Sequence, residues 1–380
     1  MKKPKIRFNG YTEDWEQRKL GDVFKEYSEK NHIELPALTI IQGGGTVKRE
    51  DAERNLMYDK SNLSNYKIVR KDDFIVHLRS FEGGLEKSSL DGIISPAYHT
   101  FHSDIADSRF YYPYFRSYEF IKHKLVPHVY GIRDGRSIDI DGMKTIEIPY
   151  TSMEEQKKIG DYLDSLDHLI TLHQRKCEET KKLKKYMLQK MFPQNGKNVP
   201  EIRFLGFTDV WEQRKLGDII TEYKETVDSD CTLPILTSSK TEGVILQEEH
   251  FGRKQQHDIT GYNILPRNYC TYRNRSDGVD FTFNINKCCD KGIISKFYPV
   301  FSGNNSDVFF LSLVLNNSKE VVHEIAYTCT GTGQKVLSFL DLQKMKVRVP
   351  SFTEQKKSAG YFDSLDHLIT LHQCKYTFFR

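Results

Sequence analysis

Two short polar segments combine the side chains that most often form hydrogen bonds with DNA bases. Arg79 and Ser80 follow a predicted strand in the first half of the chain, and Arg273, Asn274 and Arg275 follow another in the second half. Arginine can bind guanine, and asparagine adenine, through two parallel hydrogen bonds, and loops at strand ends commonly present such side chains. We therefore predict DNA contacts at both segments, with a solvated turn as the alternative.

Glycine-rich segments at residues 131–137 and 331–335 occupy equivalent places in the two halves. Glycine lets a backbone approach a phosphate closely, although a plain hairpin turn explains these segments nearly as well. A basic segment at residues 253–256 is a weaker candidate, because an exposed helix or loop accounts for it. The further candidates for DNA contact from these segments are Arg133, Arg136, Gln334, Lys335, Arg253 and Lys254.

Other chemistry finds little support in the sequence. The glycines at residues 43–45 lack the Lys-Ser/Thr of a P-loop, so we predict a flexible turn there. We find no methyltransferase signature, and the seven cysteines form no CxxC pair. His168 and His367 have no Cys or His partner at i+4, so they are not predicted metal ligands. We predict no catalytic, cofactor or metal site.

We also predict a cytoplasmic protein with no membrane partner, since no apolar stretch approaches about 18 residues. The net charge of +4 does not by itself indicate a nucleic-acid partner.

The chain repeats a frame that must position these candidates. Trp-Glu-Gln-Arg-Lys-Leu-Gly-Asp stands at residues 15–22 and again at 211–218. Gly-Ile-Ile-Ser followed by tyrosine recurs at residues 92–98 and 292–298, and an eleven-residue segment at 164–174 recurs letter for letter at 363–373. A two-copy repeat of this length indicates tandem domains with one fold. Between the repeated segments the residues differ, and neither residues 43–46 nor residues 253–256 have a counterpart in the other half.

Short β-branched or aromatic runs predict strands, and Pro149 and Pro350 are predicted to close the last strand of each half. A helix should then run from residue 154 to about residue 192, with a second from residue 354. The first would span about 58 Å and act as a spacer. Contact positions recur every three or four residues, which is typical of a coiled-coil seam. The predicted seam comprises Leu163, Leu166, Ile170, His173, Cys177, Thr180, Leu183, Met187, Phe362, Leu365, Ile369 and His372.

The repeated Trp-Glu-Gln-Arg-Lys-Leu-Gly-Asp, and Glu-Gln-Lys-Lys-Ile leading into the repeated helical segment, resemble the specificity subunit of type I restriction-modification systems. The resemblance covers nearly the whole chain and implies an α+β fold. It implies two similar, mixed α/β target recognition domains (residues 1–151 and 194–351), a helical spacer (152–193) and a short second helix (352–380). The coiled-coil helices would join the domains in a pseudo-twofold arrangement.

The resemblance also implies function. Each domain would read one half of a split, asymmetric double-stranded DNA target, and the spacer length would set the gap between the halves. The subunit would carry no catalytic centre or cofactor. Two modification subunits holding S-adenosylmethionine would dock on the helices, and restriction (endonuclease and translocase) subunits would join afterwards. The seam residues would then make helix and subunit contacts.

One departure from the family pattern lies in the second helix. It is shorter than the first, and its last residues do not match residues 178–182. A truncation there would affect one modification-subunit contact and the full antiparallel helix pairing, although the first part of the helix remains. The alternatives that remain open are a truncated, partly functional specificity subunit and a coiled-coil adaptor that binds only proteins. The bases that each half reads do not follow from the sequence.

Overall fold

The computed structural model describes residues 4–52, 60–77, 82–131, 137–194, 196–253, 258–331 and 333–378. The chain divides into two compact units, Met1–Thr171 and Leu172–Arg380. Within the described ranges, no helix combines the length and the apolar character needed to cross a bilayer.

The first unit is built from short strands around one four-stranded sheet. Its strands are β1 (Glu16–Lys19), β2 (Lys25–Tyr27), β3 (Leu38–Ile41), β4 (Gly45–Lys48), β5 (Lys67–Val69), β6 (Phe74–His77), β7 (Glu86–Lys87), β8 (Gly92–Ile94), β9 (Tyr98–His102), β10 (Val129–Tyr130), β11 (Ser137–Ile138) and β12 (Glu147–Tyr150). Its helices are α1 (Leu20–Val23), α2 (Ser108–Phe115), α3 (Ile140–Lys144) and the beginning of α4 (Met153–Lys190).

The second unit contains the end of α4 and repeats the strand pattern. Its strands are β13 (Glu212–Lys215), β14 (Ile220–Tyr223), β15 (Leu236–Ser239), β16 (Gly243–Leu246), β17 (Asn263–Pro266), β18 (Cys270–Thr271), β19 (Arg275–Ser276), β20 (Asn284–Ile285), β21 (Lys291–Ile294), β22 (Val300–Gly303), β23 (Lys335–Val336) and β24 (Lys346–Val349). Its further helices are α5 (Leu216–Ile219), α6 (Gln247–Phe251), α7 (Val308–Asn317), α8 (Lys319–Thr328), α9 (Phe339–Lys344) and α10 (Phe352–Phe378).

The four-stranded sheet and three of the strand pairs have the same topology in the two units. The four-stranded sheet has the order β2-β9-β6-β7 in the first unit and β14-β22-β18-β20 in the second. The strand pairs β1-β12, β3-β4 and β5-β8 likewise correspond to β13-β24, β15-β16 and β17-β21. The prediction of two similar units of mixed α and β structure is therefore confirmed.

Each unit has a core rich in aromatic side chains. In the first unit the rings of Phe24, Phe74 and Phe115 contact one another behind the four-stranded sheet. In the second unit Trp211, which is 3% exposed, contacts Phe192 and Phe310. The tryptophan that opens the second frame is therefore a core residue and not an exposed platform for stacking on bases.

The prediction that Pro149 ends the last strand of the first half is wrong. Strand β12 continues to Tyr150, and Pro149 pairs with Gln17 of β1. The carbonyl oxygen of Pro149 accepts a hydrogen bond of 2.8 Å from the buried Tyr111 hydroxyl, so it points away from β1. Because the nitrogen and carbonyl of one residue share a side of a strand, the missing N–H of proline costs no ladder hydrogen bond. In the second unit β24 ends before Pro350, as predicted.

The repeated Glu-Gln at the start of each long helix ties the helix to the rest of its unit. The buried Glu155 carboxylate accepts hydrogen bonds from the Arg7 guanidinium at 2.5 and 2.7 Å and from Trp15 Nε1 at 3.2 Å. In the second unit both carboxylate oxygens of Glu354 accept hydrogen bonds from one edge of the Arg203 guanidinium, from Nε at 2.7 Å and from Nη2 at 2.6 Å. We call these two ion pairs the arm latches.

The next residue, a glutamine, closes a second connection. The Gln156 amide donates to the carbonyl of Thr151 and accepts from the N–H of Asp107. Gln355 makes the same two contacts with Pro350 and Asp307. The Ser152 hydroxyl also accepts a hydrogen bond from the N–H of Glu155 and so caps the start of α4. The repeated motif is therefore structural, because it fixes where each long helix begins.

Within the second unit, the end of α4 packs antiparallel against α10. His173 and His372 lie with their Nδ1 atoms 3.1 Å apart, and Lys184 forms an ion pair of 2.5 Å with Asp366. The Cys177 side chain is buried and lies 3.9 Å from the carbonyl of Ile369. Residue numbers rise along α4 as they fall along α10, so the predicted helix seam is present between these segments.

The histidine pair should make the second unit less stable at acidic pH. Burial, and the positive charges of Lys375, His372 and Lys176, hold the pKa of His173 below its ordinary value of 6.5. A folded state that binds fewer protons than the unfolded state has full stability above pH 6.5 and loses it as the pH falls below that value. Thermal unfolding between pH 7.5 and 5 should show this loss.

The matched control is the substitution His173→Gln, which keeps a polar side chain at the contact between the two helices but removes the titrating imidazole. We expect a smaller pH dependence of the melting temperature in this variant than in the wild-type chain. An equal dependence in the two proteins would show that His173 is not the cause.

Candidate nucleic-acid interface

Two of the segments that the sequence singled out lie side by side in the second unit. Strand β19 pairs antiparallel with β23, which places Arg275 opposite Val336 and Ser276 opposite Lys335. Some sixty residues separate these positions in the chain. The β19–β23 ribbon therefore joins the predicted Arg-Asn-Arg-Ser and Gln-Lys contacts on one surface.

Arg275 is exposed and is supported by an aromatic ring. Its guanidinium carbon lies 4.5 Å from the centroid of the Phe297 ring. Phe297 itself is 38% exposed and precedes β22. An arginine stacked in this way is attracted by the negative face of the ring and keeps its N–H edges available.

Asn274 is held by its backbone on both sides. Its N–H donates to the carbonyl of Phe297 at 2.9 Å, and its own carbonyl accepts from the N–H of Leu337 at 3.0 Å. Its side-chain Oδ1 is buried and has no hydrogen-bond partner among the described residues. A buried acceptor without a donor is unfavourable unless water supplies the hydrogen bond.

Arg273 is exposed and lies close to Tyr298. Burial raises the pKa of the Tyr298 hydroxyl, while the charge of Arg273 acts in the opposite direction. The hydroxyl therefore stays protonated at neutral pH and can donate or accept a hydrogen bond. Gln334 is exposed and Lys335 is half-buried at the other edge of the ribbon.

Sequence reasoning missed two residues of this surface, Lys240 and Tyr298. They line one cleft with Arg273, Arg275 and Asp280, and Lys240 pairs with Asp280 at 2.6 Å. Tyr298 belongs to the repeated Gly-Ile-Ile-Ser segment, which was a usable signal because the same tyrosine recurs in both halves. Lys240 gave no signal, because it lies in an ordinary polar turn.

The turn that carries Lys240 corresponds to the glycine turn of the first unit. Gly43 and Gly45 have φ values of 79° and 72° between β3 and β4, which confirms the predicted turn. Their structural counterpart is the turn between β15 and β16, so the two units share this turn although its residues differ, as the sequence indicated. Both turns are tethered from equivalent strands: Glu86 accepts the N–H of Gly43, and Asn284 donates to Ser238 and Ser239.

The pairing of the central strands aligns the two units residue by residue. Phe74 pairs with Phe101 in the first unit as Cys270 pairs with Phe301 in the second, so His77 corresponds to Arg273. The His77 ring contacts Tyr98, the counterpart of Tyr298, at a centroid distance of 4.7 Å. Counting onward in the sequence, Arg79 and Ser80 correspond to Arg275 and Ser276. The predicted contact residues that lie outside the described residues are Arg79, Ser80, Arg133, Arg136 and Lys254.

The remaining predicted residues differ in how far their side chains are exposed to solvent. Arg253 is exposed, directly after Gly252, whose left-handed conformation ends α6. Among the seam residues, Phe362 and Leu365 are buried, Met187 packs against the core of the second unit, and Leu183 is 45% exposed. Half-buried seam positions are Leu163, Leu166, Ile170 and Ile369. Their roles in subunit contact remain predictions. No group of three or more metal-ligating side chains is found in the described part of the chain.

Comparison with known proteins assigns the chain to a family. The family described as "Type I restriction modification DNA specificity domain" matches residues 12–182 and 209–377. The chain belongs to this family. It is a type I restriction-modification specificity subunit with two target recognition domains, as the resemblance implied.

Individual relatives of this specificity subunit are distant in sequence. It is 23% identical to the type I restriction enzyme MjaX specificity subunit of Methanocaldococcus jannaschii over 401 residues, covering 97% of this chain and 90% of that protein. The crystal structure of a type I restriction-modification S subunit from M. genitalium shares the fold with a TM-score of 0.56 at 15% identity, covering 99% and 95% of the two chains. The HsdS subunit from Thermoanaerobacter tengcongensis matches with a TM-score of 0.45 at 15% identity, covering 96% and 93%.

Proposed function

We propose that the second unit of this specificity subunit binds double-stranded DNA through a reading face made of Arg273, Asn274, Arg275, Gln334 and Lys335. The observation that supports this most directly is the β19–β23 pairing, which brings the two predicted contact segments onto one ribbon. A two-stranded ribbon has the dimensions to enter a major groove. The equivalent positions of the first unit would form its own reading face.

The charge of the reading face suits a polyanion. Among the described residues, neither Arg273 nor Lys335 forms an ion pair, whereas Lys240 in the same cleft is paired with Asp280. Basic side chains without acidic partners can replace counterions along the phosphate backbone, which supplies affinity that does not depend on sequence. Asn274 and Arg275 would add contacts with base edges, which supply specificity.

The two reading faces differ in their side chains. Arg273 corresponds to His77, and the turn that carries Lys240 corresponds to a turn of glycines. Different donors at equivalent positions recognise different bases, so the target should consist of two unlike half-sites. Both half-sites would be read by the same fold.

The frame around the reading faces is, by contrast, the same in both units. The arm latches and the glutamine contacts repeat with the same partners. Because the frame occurs twice, we assign one modification subunit to each copy of it. The helix seam would contribute to these subunit contacts. In this proposal the chain is not catalytic: S-adenosylmethionine and methyl transfer belong to the modification subunits, and restriction subunits complete the complex. The complex acts on DNA in the cytoplasm, where the seven free thiols are kept reduced.

A mapping experiment tests this function. Methylated adenines are sequenced in cells that express the modification subunit with or without this chain. Methylation at a split motif should require the chain, and the purified chain alone should not bind S-adenosylmethionine. A complex with the modification subunit that shows no preference for DNA would instead favour the protein-binding adaptor, and cofactor binding by the chain alone would contradict the non-catalytic assignment.

A further inference from the structure

Arg275 and Phe297 form a pair whose geometry is set by the surrounding backbone. The neighbouring Asn274 donates its N–H to the carbonyl of Phe297, and the β19–β23 ladder fixes the strand that carries Arg275. The guanidinium therefore lies over the ring because two independent sets of backbone hydrogen bonds hold both residues. The side chain loses little additional entropy when it binds a ligand, since part of its freedom is already restricted.

The stacked guanidinium can still donate hydrogen bonds at its edges. A cation–π contact uses the face of the group and leaves its five N–H donors in one plane. Within the described part of the chain, no carboxylate pairs with Arg275, although Arg267 of the same unit binds Asp290 at 2.7 Å. Arg275 is thus presented as a planar donor with an unoccupied edge.

We propose that Arg275 reads a guanine in the half-site of the second unit, and that Phe297 is a positioning residue that keeps the guanidinium in the orientation for this contact. The inference rests on the proposed DNA-binding function. The O6 and N7 atoms of guanine accept two parallel hydrogen bonds in the major groove, which matches one edge of a guanidinium. A phosphate could accept the same pair, but a phosphate contact needs charge more than orientation, and lysine would also serve it.

The first unit lacks the positioning ring. Because Tyr98 corresponds to Tyr298, the residue at the place of Phe297 is Ala97. The sequence counterpart of Arg275 is Arg79, and at the place of the Phe297 ring the first half of the chain has the methyl group of Ala97. Selection of guanine by a supported arginine is therefore a property of the second unit, and the substitution Phe297→Ala gives the second unit the residue found in the first.

The test measures base discrimination by the chain in complex with its modification subunits. Duplexes carrying the methylated motif are altered one base pair at a time in each half-site, and 7-deazaguanine, which lacks the N7 acceptor, replaces each guanine. We expect one guanine in one half-site at which either change weakens binding by roughly 10-fold to 100-fold. Arg275→Ala should abolish discrimination at that position and at no other.

Three further variants separate the base contact from a phosphate contact. Arg275→Lys keeps the charge but not the planar donor edge, so it should lose the discrimination while keeping most of the affinity. Phe297→Ala should reduce the discrimination at the same position, and Phe297→Tyr should retain it. Trp211 fluorescence, measured in a Trp15→Phe background, verifies that the second unit is folded in every variant.

The outcomes are distinct. If Arg275→Ala weakens binding to all sequences equally and reduces the salt dependence, the partner of Arg275 is a phosphate and the guanine assignment is overturned. If discrimination at every position is unchanged in Arg275→Ala, the residue does not read a base. If the wild-type complex itself shows no preference for the motif, the proposed function fails before the question of Arg275 arises.

Discussion

Replacing Glu354 with alanine is expected to destabilise the second unit by about 3 kcal/mol. This value is at the lower end of the range measured when one partner of a buried ion pair is removed. Glu354 is 2% exposed and binds Arg203 through both of its carboxylate oxygens. Its loss leaves the Arg203 guanidinium, whose side chain is 11% exposed, without its counter-charge. The start of α10 also loses its connection to the segment that precedes Trp211.

The two tryptophans allow this effect to be measured in one unit. Trp211 lies in the second unit and Trp15 in the first, so urea unfolding of a Trp15→Phe background reports on the second unit alone. The control is Asp363→Ala on the same helix, which breaks the exposed pair with Lys287 and should change stability by less than about 1 kcal/mol. Equal effects of the two substitutions would show that the arm latch has no special role.

Removing two charges from the reading face should give the largest loss of DNA affinity. We expect the double substitution Arg273→Ala and Lys335→Ala to weaken binding on the order of 10-fold to 100-fold near physiological salt, because two phosphate contacts are lost. The slope of log affinity against log salt concentration should become less steep by about 1.8, or 0.9 for each contact. Fluorescence anisotropy with a labelled duplex containing the motif, repeated between 50 and 300 mM salt, measures both quantities.

A control with the same loss of charge separates local contact from general attraction. The double substitution Lys215→Ala and Lys344→Ala removes two exposed positive charges from the frame rather than from the reading face. We expect a nearly unchanged salt slope for this protein. If both double variants shift the slope equally, DNA responds to the net charge of the chain and the reading face lies elsewhere.

The sequence predicted the long helices well, because their signals are local. Residues 154–192 contain one glycine and no interior proline, and α4 occupies Met153–Lys190. The seam positions His173 and His372 were found from three- and four-residue spacing, and their Nδ1 atoms lie 3.1 Å apart. Helical periodicity extends over many residues, so small errors at the ends do not change the assignment.

The reading face was only partly predictable for the opposite reason. Strands β19 and β23 contain two residues each, which is too short for any periodic pattern, so their pairing could not be inferred. Phe297 precedes a different strand, and its role depends on a contact with Arg275 that only tertiary structure creates. The arginines were found because their chemistry marks them, whereas their supports were not.

The frame motifs were recognised before their cause was visible. The first copy of Glu-Gln marked the family resemblance, but the sequence did not show that Glu155 accepts from Arg7 and Trp15 at the same time. These partners lie about 150 residues away in the chain, where no local rule connects them. The structure gives the physical reason for the motif: a buried carboxylate in the first turn of the helix accepts these hydrogen bonds.

The pairing of β1 with β12, and of β13 with β24, has a consequence for how such proteins can change. Each recognition segment enters and leaves through adjacent antiparallel strands, so its two ends lie about 5 Å apart. The residues between those strands form a self-contained segment, because one strand pair joins its two ends. A gene segment exchanged at these two strands would carry a complete new specificity and leave the helices joined as before.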